Sequence, residues 1–204
     1  MSSVLETGAE SATLRNDDWY GQVVGAVRFV DCVFIDVDLS ESMTVGTTFQ
    51  GCTFHGVRFN GSTHRTTAFV GCEFRRSSFF TATLDGCKLT GSTFAECTMR
   101  PVTVIGGAWQ SVSLRRHHLG GVDLTAVDLR DADLSMSDLT EAVLVEARLE
   151  GALVRETDFT RADLRHAKLD GVDLSSANLK QTRIDLQTAV MLAELSGAVV
   201  DLGE

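Results

Sequence analysis

The chain has 204 residues, 44% of them hydrophobic, which suits one folded domain with an ordinary core. Its formal charge of −10 argues against direct binding to nucleic-acid phosphates, and no 18-residue apolar run is present to cross a membrane as a helix. The five cysteines are an odd number, which argues against a disulfide framework.

The first 18 residues, MSSVLETGAESATLRNDD, are polar and acidic and lack a hydrophobic signal core. They are expected to be a disordered extension, and the default expectation for the chain is a cytoplasmic location. DDWYGQVV (17–24) is expected to begin the ordered part, with Trp19 wide enough to help close that end.

From Val24 to Ile184 every fifth residue is large and apolar, with Thr44 and His64 the exceptions. On a helix, steps of five walk the side chains around the axis by about 140° each, so they share no face. On a strand, an odd step throws alternate side chains to opposite sides. Every Phe but Phe80 lies on this phase. A second phase, two residues earlier, is filled by small residues, reading Ala132, Ser137, Ala142, Ala147, Ala152 in one stretch. All five cysteines (Cys32, Cys52, Cys72, Cys87, Cys97) fall on it. Each unit therefore reads small, any or Asp, large apolar, polar, polar. Alternation sends two side chains inward and three outward, and one bulky plus one small group suits a narrow core. Inward cysteines read as small buried hydrophobes in preference to metal ligands.

Further along, Pro101 in MRPVTV stands between phase residues Met99 and Val104 and is expected at a corner, as a turn or a kink. LRRHHLGG (114–121) places His117 on the small phase, where imidazole is oversized; a bulge or a satisfied histidine is expected there before a ligand site. VDLTAVDLRDADLSMSDLTEAVL (122–144) carries the five-step period as leucines. Across 117–146 the acids are Asp123, Asp128, Asp131, Asp133, Asp138, Glu141 and Glu146, against the single base Arg130. After Ile184 the period stops and DLQTAVMLAELSG (185–197) switches to helical spacing, with Asp185 as N-cap and Gly197 as stop. Leu186, Val190, Met191, Leu192 and Leu195 are too many for one narrow stripe, so this helix is expected to cap the last coil and also meet a second copy. A solenoid otherwise exposes its core at each end.

ADLRH (162–166), ANLKQ (177–181) and ADLSM (132–136) resemble the pentapeptide-repeat proteins. The resemblance implies an all-β solenoid, a right-handed quadrilateral β-helix of about eight coils with one pentapeptide per side. It divides the chain into a disordered extension (1–18), the β-helix (19–184) and a C-terminal helix and tail (185–204). Residues 20 apart should then stack, and Phe34, Phe54, Phe74 and Phe94 do share a column, followed by Leu114, Leu134, Val154 and Leu174. The bulk shifts from Phe to Leu, as for a core that changes girth. Thr44 and His64 stack in adjacent coils as a local polar pair.

No Gly-rich phosphate loop, His-x-x-x-His or paired Cys-x-x-Cys site is present. The aspartates project from a convex rod, which offers no shielded pocket to a general acid or base. No catalytic residue, metal or cofactor is therefore expected. Stacked coils rising by about 4.8 Å each give a rod of roughly 40 Å, or about 80 Å for two joined end to end. STHRTTAFVGCEF (62–74), FAECTMRPVTV (94–104) and RIDLQTAVMLAELSG (183–197) are most similar to the mycobacterial MfpA type within the family, whose Qnr relatives carry loops that this sequence lacks. That similarity implies a homodimer through the C-terminal helices, with a DNA-mimicking surface that docks on DNA gyrase or a related type II topoisomerase and lowers sensitivity to fluoroquinolones. The expected acidic surface comprises the seven acids above and Asp158. The alternative is a non-catalytic interaction scaffold for another partner.

Overall fold

The protein, seen as a computed structural model, is described over residues 4–201. Residues 1–3 of the expected extension and 202–204 of the expected tail lie outside the described residues.

A two-residue inward pattern repeated every five residues can close only if the chain turns a corner after each unit. It does so by a left-handed residue at a fixed place, two after each large one: Gly where available (Gly51, Gly56, Gly61), otherwise residues such as Asp36, Asp131 and Glu146, with φ between 52° and 65°. Four such sides bring the chain back to its start 20 residues on. The result is a β-solenoid with four faces and parallel pairing at a register of 20 throughout. Three faces carry parallel sheets of four, five and five short strands. The fourth is joined by single bridges, Asp18 to Asp38 to Arg58 to Ser78 to Thr98. We number the faces by their columns of large residues: face 1 holds Phe29, Phe49 and Phe69; face 2 Phe34, Phe54, Phe74 and Phe94; face 3 Leu39, Phe59 and Phe79; face 4 Val24, Thr44, His64 and Leu84.

The coil starts earlier than the sequence suggested. Ala9 pairs with Phe29 and Leu14 with Phe34, and Leu14 is buried. Both residues continue the five-step phase, so part of the segment expected to be disordered supplies two more sides of the solenoid. Its acids (Glu10, Asp17, Asp18) occupy outward positions. Trp19 does not close the end. It is a buried core residue against Phe29 and Phe34, with ring centroids 5.8 and 5.7 Å away. Val4 and Leu5, in a single helical turn (α1, Val4–Thr7), pack on the core in front of it.

The core is a set of stacked columns. Phe29, Phe49 and Phe69 lie parallel at 5.0 Å, and Phe34, Phe54, Phe74 and Phe94 at 4.6–4.7 Å. These separations are those of favourable offset ring stacking. Small-phase residues do more than leave room. Each hydroxyl or thiol donates to the carbonyl of the large residue 23 positions earlier: Cys72 Sγ to Phe49 O (3.3 Å), Ser92 Oγ to Phe69 O (2.9 Å), Ser137 Oγ to Leu114 O (2.7 Å), Thr157 Oγ1 to Leu134 O (2.8 Å). The cysteines thus act as weak donors inside the core as well as small hydrophobes.

The last three-residue strand is Thr103–Ile105. Beyond it, most small-phase N–H groups bond back to the large residue three positions earlier, as in Val127 N to Leu124 O and Ala132 N to Leu129 O. Carbonyls spent on corners no longer extend the ladder, so the C-terminal coils pair by single bridges. The bridges continue as far as Arg183. The change from Phe to Leu falls in the same coils.

The ladder is interrupted where these two styles meet. Ser113 still pairs with Thr93 on face 2, but Thr98 and His118 on face 3, and Thr103 and Asp123 on face 4, are unpaired. Pro101 stands at the corner between these faces and has no N–H to offer the next coil. The coils part there and leave a crevice.

Candidate functional site

The eight acids expected to form the binding surface do not share one face. Asp128 projects from face 1, Asp133 from face 2, Asp138 and Asp158 from face 3, and Asp123 from face 4. Asp131, Glu141 and Glu146 occupy corners. Acid is therefore presented all round the C-terminal coils.

The face and corner acids differ in their local chemistry. At the face position, one residue before the large one, a carboxylate can reach the N–H two residues on. Asp123 Oδ1 accepts from Thr125 N (2.9 Å), Asp133 Oδ1 from Ser135 N (2.9 Å), Asp138 Oδ1 from Thr140 N (3.0 Å) and Asp158 Oδ1 from Thr160 N (2.8 Å). These are Asx turns, and they explain why Asp recurs at that place. Hydrogen bonds from Thr140 hold the Asp138 carboxyl below its ordinary range against the opposing effect of its partial burial. Asp128 is lowered chiefly by the Arg130 side chain, 2.7 Å away. The corner acids Asp131, Glu141 and Glu146 are exposed and make no such turn bond.

Several acids also have cationic neighbours. Asp128 meets Arg130 and Arg148, Asp133 meets Arg115 at 3.9 Å, Asp138 meets His118 at 3.5 Å, and Glu141 meets Arg161. Asp123, Asp131, Glu146 and Asp158 have no ion-pair partner among the described residues. These four carry the least compensated charge of the set.

The C-terminal helix, α2 (Leu186–Leu195), begins at Asp185. One Asp185 oxygen accepts from Thr188 N at 2.9 Å and the other from His166 N at 2.8 Å, so this carboxylate ties the helix to the last coils. Those backbone donors lower its pKa. Ser196 caps the C-terminal end, and Gly197 follows with φ 88°, the left-handed stop that the sequence suggested. Met191 and Leu192 pack against the core, whereas Leu186 is 75% exposed and Leu195 48%. Val190 is half-buried.

Two histidines sit in the core. His64 is fully buried and satisfied: Nδ1 lies 2.7 Å from Thr44 Oγ1, Nε2 lies 2.9 Å from Ser62 Oγ, and Thr44 Oγ1 lies 2.6 Å from Thr67 Oγ1. The expected polar pair is thus part of a four-residue network. The cluster of hydroxyls on the small phase (Ser42, Thr47, Ser62, Thr67) was the sequence signal for it. Burial pushes the His64 imidazole down to about 4. His117 is only half satisfied. Its Nδ1 donates to Arg115 O at 3.0 Å, while Nε2 is buried with no partner. Among the described residues, no group of three or more His, Cys, Asp and Glu is placed to hold a metal ion, and no helix is long and apolar enough to cross a membrane.

Comparisons place this architecture. A family model for pentapeptide repeats matches residues 110–144 and 142–181, in 8 copies. No curated protein matches the chain. Among solved structures, a trypsin-treated variant of QnrB1, a plasmid-mediated fluoroquinolone resistance protein, is 19% identical with a TM-score of 0.71, over 94% of this chain and 96% of that one. Full-length QnrB1 is 18% identical with a TM-score of 0.65, over 93% of this chain and 99% of that one. At such identities the likeness is one of fold. With the family's repeats matched over 110–181, and the same five-residue side continued without a change of phase back to Ala9, the chain belongs to the pentapeptide-repeat proteins.

Proposed function

We propose that this protein is a DNA mimic that binds DNA gyrase or a related type II topoisomerase, modulates its activity and lowers its sensitivity to fluoroquinolones. The observation that carries this reading is the carboxylate shell of the C-terminal coils, which surrounds the rod on every side. Duplex DNA also presents its charge all the way round, about one per 1.7 Å of axis. A protein surface built to hold phosphates would meet a comparable field along a rod of comparable length. The fold shared with QnrB1, a fluoroquinolone resistance protein, supports the same reading.

In this reading the protein acts as a homodimer joined through α2. The exposed Leu186 and Leu195 support an apolar junction, while Met191 and Leu192 cover the last coil. Joining two rods at this end brings the two most acidic segments together near the centre. No catalytic residue takes part; the protein acts by occupying a surface.

The deciding experiment is a supercoiling and drug-induced cleavage assay with purified gyrase. The protein should inhibit supercoiling, or reduce the cleavage that a fluoroquinolone stabilises. No effect at micromolar protein would overturn the gyrase reading in favour of a scaffold for another partner.

A further inference from the structure

The parted ladder between residues 94–100 and 113–118 encloses a crevice of about 600 Å³. Its volume falls in the range of small-molecule sites. Buried Phe94, Met99 and His117 line it, together with half-buried Cys97. Three arginines (Arg100, Arg115, Arg116) and His118 also line it, against one carboxylate, Glu96.

The charges there are not balanced. Glu96 is paired with Arg76 at 3.1 Å, Arg115 with Asp133, and His118 with Asp138. Arg100 and Arg116 have no carboxylate within ion-pair distance among the described residues. On a rod whose net charge is −10, this crevice is a place where positive charge is left over.

His117 adds a second, independent requirement. The Arg115 carbonyl can only accept, so the proton sits on Nδ1 and Nε2 presents a lone pair. That lone pair is buried and unpartnered, a state that structures seldom leave uncompensated. A group that completes the site must therefore carry negative charge for the arginines and a hydrogen-bond donor for Nε2.

We propose that the crevice binds a phosphate group that keeps a proton, either inorganic phosphate or the monoanion of a small phosphate monoester. Its charged oxygens are held by Arg100 and Arg116, and its P–O–H donates to His117 Nε2. The site is independent of the gyrase reading and lies between coils, not on their acidic exterior. No bond is made or broken.

Sulfate matches phosphate in size but has no proton to donate near neutral pH, so the pair forms the test. Calorimetric titration of the full-length protein at matched ionic strength should show saturable phosphate binding, with sulfate at least about tenfold weaker. Arg100→Ala combined with Arg116→Ala, both at exposed positions, should weaken phosphate by about tenfold or more while the thermal midpoint holds. His117→Phe should bring phosphate down to the level of sulfate. Phenyl phosphate distinguishes the two sources: a monoester site should bind it more tightly as pH falls through about 6, whereas a site for inorganic phosphate alone should exclude it at any pH. Absence of saturation up to about 10 mM, equal binding of phosphate and sulfate, or an arginine double variant that binds as the wild type would each overturn the proposal.

Discussion

At the scale of single residues, the small phase turns out to be a chemical requirement. Ser92 Oγ accepts from Cys72 N at 3.0 Å and donates to Phe69 O at 2.9 Å, so one hydroxyl serves two backbone groups inside the core. Ser92→Ala keeps the volume within reach but orphans both groups. It should cost about 1–3 kcal/mol, measurable by urea unfolding, and an unchanged midpoint would mean that the spacing of 23 is incidental. The buried His64 makes a second residue-scale prediction. Its folded pKa of about 4 lies below the ordinary value of about 6.5. Below 6.5 the unfolded chain takes up a proton that the fold refuses, so stability should fall as pH drops from about 6.5 to about 4, by an amount on the order of 3 kcal/mol. His117, also lowered by burial, acts with the same sign. Asp128 and Asp163, held low chiefly by Arg130 and Arg165, add a further loss once pH falls below the ordinary carboxylate range. Unfolding midpoints taken across this window for wild type and His64→Asn should diverge, with the variant nearly flat apart from the His117 contribution. Parallel curves would remove His64 from the account.

At the scale of elements, what the sequence made legible was whatever repeats. The large column from Val24 to Ile184, the stacking of Phe34 on Phe54, the cap at Asp185 and the stop at Gly197 all follow from side-chain volume, turn chemistry and phase. The parted ladder did not announce itself, because it is a matter of backbone pairing, and only the missing N–H of Pro101 hinted at it. The early start at Ala9 was hidden for a different reason. Alanine at a large position carries little signal, and acids on the outward positions gave the segment the composition of a loose tail. The split role of α2 was legible as an excess of apolar residues, but its division was not: Met191 belongs to the cap and Leu186 to the outside. That division makes a prediction. Leu186→Glu with Leu195→Glu should yield folded monomers by sedimentation, whereas Met191→Glu should lower the thermal midpoint, since it puts a charge against the last coil. A wild type that is already monomeric would remove the dimer from the proposed function.

At the scale of the whole molecule, the acidic shell serves two ends that one substitution can confuse. Asp133 and Asp138 are both surface charge and turn caps, and reversing either removes an Asx turn worth about 1 kcal/mol. Weakened binding by those variants would not separate recognition from loosened coils. Asp131 and Glu146 separate them. Each stands at a left-handed corner that any L-residue occupies at similar cost, each is exposed, and neither caps a turn. Asp131→Lys with Glu146→Lys changes the net charge by four while leaving the fold's hydrogen bonds in place. If the protein meets gyrase as DNA does, by long-range attraction between an acidic rod and a basic surface, this double variant should associate more slowly and with a shallower dependence on salt. Its urea midpoint should match the wild type within about 0.5 kcal/mol. Stopped-flow association rates at two ionic strengths decide the matter. Equal rates and equal salt slopes for both proteins would mean that the carboxylates only keep the rod in solution, and that any grip on gyrase comes from contacts elsewhere on its surface.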